Sequence, residues 1–426
     1  MSEAGDKLYS FEHSMELFSE AAKVIPGAIY GHVSPTLQVP GFFPYYTARA
    51  EGCRYWDIDG NEFIDYMCAY GPMILGYNYR PVEEAAAAQR ALANCTNHPA
   101  PVMIELAEYL VDTVPTADWA LFAKNGGDMT TFAVLVARAH TNRKKVVTVR
   151  GHYHGVAPWC TAIGHGGNTP EDHLNNLQVE WNDLEGFATL VRSHPDEIAA
   201  FIAMPYHHVT FDHQVMPAPG YWEGVEKICR TEGIVLISDD VRTGFRLHLG
   251  GSNEYFGYKP DLITFSKAMG NGYSISACVG RKELKNAAAK VFYTGSFWFS
   301  AEPMAAALAT LKALQETSAV EKIYRIGKML MNGLEELGSR YGLEITTSGH
   351  PGLPFMRFDE DPDLYMQQIF CAEVTRRGSF FHPHHNWFIS AAHTEADINE
   401  TLNHAEAALK AVKRQLNGVS GRRAII

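Results

Sequence analysis

No stretch of this 426-residue chain approaches the roughly 20 consecutive apolar residues that a membrane-spanning helix requires. Its opening residues, Met1 to Phe18, carry Glu, Asp and Lys among the apolar ones, which is unlike the uninterrupted apolar core of a secretory signal. Clustered cations are also missing. Thirty-six Lys and Arg stand against 48 Asp and Glu, for a net charge of −12, so the phosphate neutralisation on which nucleic-acid binding depends is not expected. The seven cysteines (Cys53, Cys68, Cys95, Cys160, Cys229, Cys278 and Cys371) are odd in number, scattered and free of any C-x-x-C pair. They read as reduced thiols of a cytoplasmic protein, forming neither a disulfide framework nor a zinc site. There are 19 histidines but no H-E-x-x-H. His382, His384 and His385 fall in a Pro- and Asn-containing turn, which suits a polar pocket wall or surface better than metal ligation, and no metal is expected. Low-complexity tracts and internal repeats are absent as well. With 46% hydrophobic and 20% charged residues the composition is that of an ordinary globular protein.

What is present is an alternation of short apolar runs with longer amphipathic stretches, the pattern of a mostly parallel sheet covered by helices. Strands are predicted at Trp119–Ala123, Lys145–Val149, Ala199–Met204, Ile234–Ser238, Leu262–Phe265 and Ile275–Val279, with helices over Thr130–His140, Leu184–Ser193 and Tyr221–Glu232 as crossovers. Beyond Met304 the pattern changes. Long helices (Pro303–Thr317, Val320–Arg340) precede short strands near Leu343–Thr347 and Leu353–Phe358 and a last helix, Glu395–Leu416. The expected organisation is an N-terminal segment (residues 1–75) with a hairpin at Ala50–Met67 turning on Asp57–Asn61, a large α/β domain (76–315) and a smaller α+β domain (316–426).

Ligands bind beyond the carboxyl ends of strands in such sheets, and three predicted strands end in chemistry-bearing residues. One run ends in Asp239-Asp240; an acid there pairs with a buried cation or caps the next loop. A second ends in Ser266-Lys267 ahead of a glycine-rich turn, where a lysine is a nucleophile or a solvated surface residue. The third, Trp119–Ala123, runs into Asn125-Gly126-Gly127-Asp128 and then a helix. Paired glycines there form either a tight turn or an anion cradle, since their amides join the positive end of the helix. One cofactor asks for a phosphate cradle, an acid for a ring nitrogen and a lysine for an aldehyde: pyridoxal 5′-phosphate (PLP). Such a lysine must give up its proton below its ordinary value of about 10.4, and the acid keeps the ring an electron acceptor.

The run Asp239-Asp240-Val241-Arg242-Thr243-Gly244-Phe245-Arg246, followed by Pro260-Asp261-Leu262 and Ser266-Lys267, resembles the signature of the class III (subgroup II) aminotransferases, especially the glutamate-1-semialdehyde 2,1-aminomutase-like members. Trp56-Asp57-Ile58-Asp59-Gly60-Asn61, Gly71-Pro72-Met73-Ile74-Leu75-Gly76, Gly151-His152-Tyr153-His154-Gly155 and the helix start at Pro303 fall in the family order, so the likeness spans nearly the whole chain. The resemblance implies PLP fold type I and a homodimer with active sites at the subunit interface. It further implies that Lys267 forms the Schiff base and moves the proton, and that Asp239 binds the pyridinium nitrogen. Tyr153 and Val241 would cover the two ring faces, and Gly126 and Gly127 would offer amides to the phosphate. A hydroxyl such as Ser296 or Thr294 would reach the partner subunit's phosphate.

The chain also departs from that pattern. Gly126-Gly127-Asp128-Met129 stands where Ser-Gly-Thr-Glu is usual; Asp128 is expected to turn away and cap the helix, with Thr130 or Thr131 supplying a hydroxyl. Trp298-Phe299-Ser300 replaces Thr-Phe-Ser. Near the N-terminus Ser34-Pro35-Thr36-Leu37 has Leu37 where the aminomutases have a carboxylate-binding arginine, so glutamate-1-semialdehyde is not the expected substrate. Tyr70, Arg242 and His385 are the candidate substrate residues, Arg242 either gripping an acidic substrate or pairing with Asp240. The leading function is a ping-pong transaminase acting on a small amine and a 2-oxo acid, aldehyde or ketone. An aminomutase or racemase on the same scaffold, or a non-catalytic binding protein, are the alternatives.

Overall fold

The computed structural model describes residues 8–31, 38–161 and 164–418. Among these the strands are, in chain order, β1 Thr47–Glu51, β2 Arg54–Asp57, β3 Glu62–Asp65, β4 Trp119–Ala123, β5 Lys145–Val149, β6 Asn176–Val179, β7 Ile198–Ala203, β8 Val235–Asp239, β9 Leu262–Phe265, β10 Ser276–Gly280, β11 Ile345–Ser348, β12 Phe355–Phe358 and β13 Ser379–Phe380. Seven form the central sheet in the order β4-β10-β9-β8-β7-β5-β6. The run from β9 to β6 is parallel, while β10 lies antiparallel to both β9 and β4. Because β10 reverses twice, β4 points the same way as β8 and β9. Their carboxyl ends therefore meet along one edge of the sheet.

Strands buried on both faces need near-continuous apolar sequence, and Ile-Ala-Ala-Phe-Ile-Ala in β7 is buried at every position. The helix Gly126–Thr141 lies on one face, burying Met129, Phe132, Ala133, Val136 and Ala137 in a cluster with Ile202, Val235 and Ile237. Full burial of a side chain such as Phe132 contributes about 1.5–3 kcal/mol. The helices Leu184–Ser193 and Tyr221–Glu232 cover the other face through Phe187, Val191, Trp222 and Val225.

The predicted hairpin is β2–β3, and its turn is closed by Asp57, whose Oδ1 accepts from Asn61 N at 2.8 Å. β13 adds to β3 in parallel, pairing Ser379 with Ile64, so the N-terminal strands share a sheet with the C-terminal region. Arg54 reinforces the join with ion pairs at 2.7 Å to Asp397 and 2.8 Å to Glu400 on the helix Glu395–Gly418. Among the described residues no helix is long and apolar enough to cross a membrane, all seven cysteines are free thiols, and no group of three or more His, Cys, Asp or Glu is arranged to hold a metal.

Candidate active site

A cleft of about 620 Å³ opens at the shared edge where β4, β8 and β9 end, and it is lined by Lys124, Gly126, Gly127, Tyr153, Asp239, Val241, Arg242 and Lys267 among others. Register explains the convergence. Asp239, the last residue of β8, sits opposite Thr264 of β9, and the chain needs only three more residues to reach Lys267.

Lys267 adopts a left-handed backbone with φ 45°. A non-glycine residue held there costs on the order of 1–3 kcal/mol, so its surroundings must hold it in place. Ser266 Oγ donates to Ile275 O at 2.9 Å, Met269 N donates to Ser266 O at 3.0 Å, and Asn271 pins the following turn to Leu75 N and Gly76 O. Burial, with Arg242 as the next cause, draws the Lys267 ammonium down to about 7, against the partial opposition of Asp239. Near neutral pH a large fraction is therefore the free amine that carbonyl capture requires.

Asp239 is only 4% exposed. Its Oδ2 contacts His154 Nδ1 at 2.6 Å, while Oδ1 accepts only the longer contacts from Val241 N (3.2 Å) and Thr264 Oγ1 (3.4 Å). His154 is thereby an orienting group for the carboxylate. Its signal was its place in the Gly151–Gly155 motif, but nothing in the sequence linked it to Asp239, 85 residues away.

Tyr153 is 46% exposed on the cleft wall. Val241 packs against the glycine turn so closely that a Cβ on Gly126 would lie 2.6 Å from its Cγ1, which accounts for glycine at that position. Asp128 turns back as expected: its Oδ2 accepts from Asn125 N at 2.8 Å and Lys124 N at 3.2 Å, capping the helix Gly126–Thr141. The two threonines are engaged. Thr130 Oγ1 donates to His154 O at 2.6 Å, and Thr131 Oγ1 accepts from Trp159 Nε1 at 3.1 Å. Ser296 and Thr294 are exposed and not among the cleft-lining residues; the Ser296 carbonyl accepts from the Cys95 thiol at 3.6 Å.

Of the candidate substrate residues only Arg242 lines the cleft. Its Nη1 donates to Asn386 Oδ1 at 2.9 Å and His208 O at 3.2 Å, and among the described residues no carboxylate forms an ion pair with it. Asp240 does not pair with it; that carboxylate accepts from Thr243 Oγ1 and from Ser252 N and Oγ, and serves the fold. Burial draws the Arg242 guanidinium down to about 10. Tyr70 and His385 stand outside the cleft-lining residues, their rings nearly perpendicular with centroids 5.3 Å apart. His385 Nδ1 donates to Asn386 O at 2.6 Å, and burial holds the imidazole well below its ordinary value, so it is neutral. Ser34–Leu37, with the departure at Leu37, lie outside the described residues.

A flat ring with an aldehyde, a basic nitrogen and a phosphate arm matches this set. There is a lysine drawn down to about 7, a buried carboxylate with one oxygen only weakly engaged, and paired glycines at a helix start. The model for the aminotransferase class-III family matches residues 38–392. Aminopentol aminotransferase of Sphingopyxis macrogoltabida is 41% identical over 399 residues, covering 94% of both chains. Glutamate-1-semialdehyde 2,1-aminomutase of Desulforamulus reducens is 32% identical, covering 95% of this chain and 99% of its own. The FumI protein of Sphingopyxis sp. MTA144, solved in its PLP internal aldimine form, superposes with a TM-score of 0.93 at 40% identity, covering 96% of this chain and 98% of that one.

Proposed function

Because the chain belongs to the class-III aminotransferase family and is a PLP-dependent aminotransferase of fold type I, we propose that Lys267 and Asp239 are its two central catalytic residues. The observation that supports this most is their convergence from neighbouring strands β8 and β9 into one cleft. PLP, when bound, supplies an aldehyde for amine capture and a ring that accepts the electrons released from the amine-bearing carbon. Lys267 Nζ would move the proton from that carbon to the one that had been the cofactor's aldehyde, and in the second half-reaction would carry a proton the opposite way onto the acceptor carbon, which its depressed affinity for protons allows near neutral pH. Asp239, oriented by His154 and with Oδ1 only weakly engaged, would hold a positive ring nitrogen. Tyr153 and Val241 would confine the ring, and the amides of Gly126 and Gly127 would hold the phosphate.

The donor in this reading is a primary amine on a hydroxyl-bearing chain, a class suggested by the name of the 41% identical relative and by Ser274, Tyr153 and Tyr293 on the cleft wall. The acceptor is a 2-oxo acid whose carboxylate pairs with Arg242, the cleft guanidinium with no ion-pair partner among the described residues. The protein is read as a cytoplasmic homodimer. Phe292 and Phe297, 92% and 67% exposed, lie on the segment that carries Ser296 and would be covered by a second copy. The division at residues 75 and 315 belongs to the same proposal.

The experiment is a half-reaction. Adding a hydroxylated primary amine to the purified enzyme should abolish the visible cofactor absorbance and release one equivalent of carbonyl product; a 2-oxo acid should then restore the absorbance and yield an amino acid. Conversion of the amine into an isomer of itself, with no acceptor needed, would instead establish an aminomutase.

A further inference from the structure

The loop between β4 and the helix Gly126–Thr141 offers backbone amides to an anion but few side-chain donors. Asp128 is committed to amides of its own loop and Thr130 donates to the His154 carbonyl, while Thr131 accepts from Trp159 and retains its own proton to donate. The glycine amides and one neutral hydroxyl leave a doubly charged phosphate poorly neutralised.

Lys124 opens that loop and lines the same cleft. Its Nζ is shut away from solvent and has no hydrogen-bond partner among the described residues. Three donors on a buried ammonium are costly to leave unpaired, and the titratable group acting on it is the Cys95 thiol rather than any carboxylate. Burial accordingly lowers its affinity for a proton. An anion beside it would reverse that shift.

We propose that Lys124 is the counter-ion of the cofactor phosphate, its ammonium pairing with the phosphate oxygens next to the amides of Gly126 and Gly127 and making up for the scarcity of side-chain donors in this loop. The inference rests on the reading that the cleft takes PLP, and adds to it the residue that supplies the charge. A lysine is suited to the task as a compact point charge.

The test compares PLP with pyridoxal, which lacks the phosphate, as ligands of the full-length apoenzyme, following absorbance or fluorescence on titration. Lys124→Met should raise the Kd for PLP by about tenfold to a hundredfold, the range of a charge-assisted hydrogen bond, and leave the Kd for pyridoxal within about twofold. Lys124→Arg should keep PLP binding within about threefold of the parent. Unchanged PLP affinity in Lys124→Met, or an equal loss for both ligands, would overturn the assignment. Failure of the parent protein to bind either ligand would refute the reading of the cleft itself, so the two failures are distinguishable.

Discussion

The two halves of the cleft are built in different ways. The half proposed to hold the cofactor is carried by strand ends: Asp239 closes β8, Lys267 follows β9, and the glycine turn follows β4. The half proposed to meet the substrate is carried by loops drawn from distant parts of the chain. Arg242 meets Asn386 across 144 positions, and outside the cleft lining Tyr70 meets His385 across more than 300. One buried arginine, Arg246, holds these loops together, donating to the carbonyls of Gly71 (2.6 Å) and Ile389. A strand end fixes a side chain through the ladder that precedes it, so chemistry placed there is insensitive to changes in neighbouring loops. Loops carry the part of the site that differs between substrates.

That contrast is broken most directly at Lys267. Lys267→Ala should leave the far-UV circular dichroism unchanged while turnover falls by at least about a thousandfold, the scale of a lost general acid–base group. Asp239→Asn should cost roughly 10²–10³ in kcat, comparable to removing a preorganised charge-stabilising group. If either variant lost its fold along with its activity, the strand-end residues would be structural and the division between scaffold and chemistry would fail.

Arg242 belongs to both halves, so it sharpens the contrast. Arg242→Met should raise KM for a 2-oxo acid acceptor by about tenfold to a hundredfold, while an aldehyde acceptor of similar length is nearly unaffected. The same change removes a positive charge that, after burial, does most to depress Lys267. With that charge gone the protonated lysine becomes easier to keep, and its pKa rises from about 7. The acidic limb of the rate profile should then move to higher pH, because the free amine appears later. An altered KM with an unmoved pH limb would place Arg242 in the substrate half alone.

The same division governs what the sequence disclosed. β4, β5 and β9 lie where their apolar runs end, and the crossover helices Leu184–Ser193 and Tyr221–Glu232 match residue for residue. β6 escaped prediction because Asn-Leu-Gln-Val is short, polar and at the sheet edge, and β13 because two residues carry no periodicity. Lys267 and Asp239 were legible from their positions after apolar strands. His154 beneath Asp239, Asn386 on Arg242 and the unpartnered Lys124 were not, since each depends on contacts between residues far apart in the chain or on the burial of a single atom. Ser296 and Thr294 point to a converse limit: a residue assigned to a partner's site looks like plain surface in one chain.

The smallest expected effect lies in the turn before Tyr70. Cys68, Ala69 and Tyr70 all have left-handed backbones, with φ 48°, 53° and 64°. Asp65 holds this turn: its Oδ1 accepts from Met67 N at 2.7 Å, and its Oδ2 accepts from Cys68 N at 3.0 Å and Tyr77 OH at 2.6 Å. Ala69 is exposed, so its side chain contributes almost no packing. Ala69→Gly removes a left-handed penalty of about 1–2 kcal/mol and adds unfolded-chain entropy worth about 0.4–1 kcal/mol, leaving a net stabilisation below about 1.5 kcal/mol. Chemical denaturation should show a small rise in midpoint with an unchanged slope. Glycine also permits other backbone geometries, so Tyr70 would be less firmly set against His385, and because neither ring lines the cleft the kinetic constants should be little changed. A loss of stability would mean that the left-handed turn is not strained at Ala69, and that the strain of the substrate half is confined to Cys68 and Tyr70.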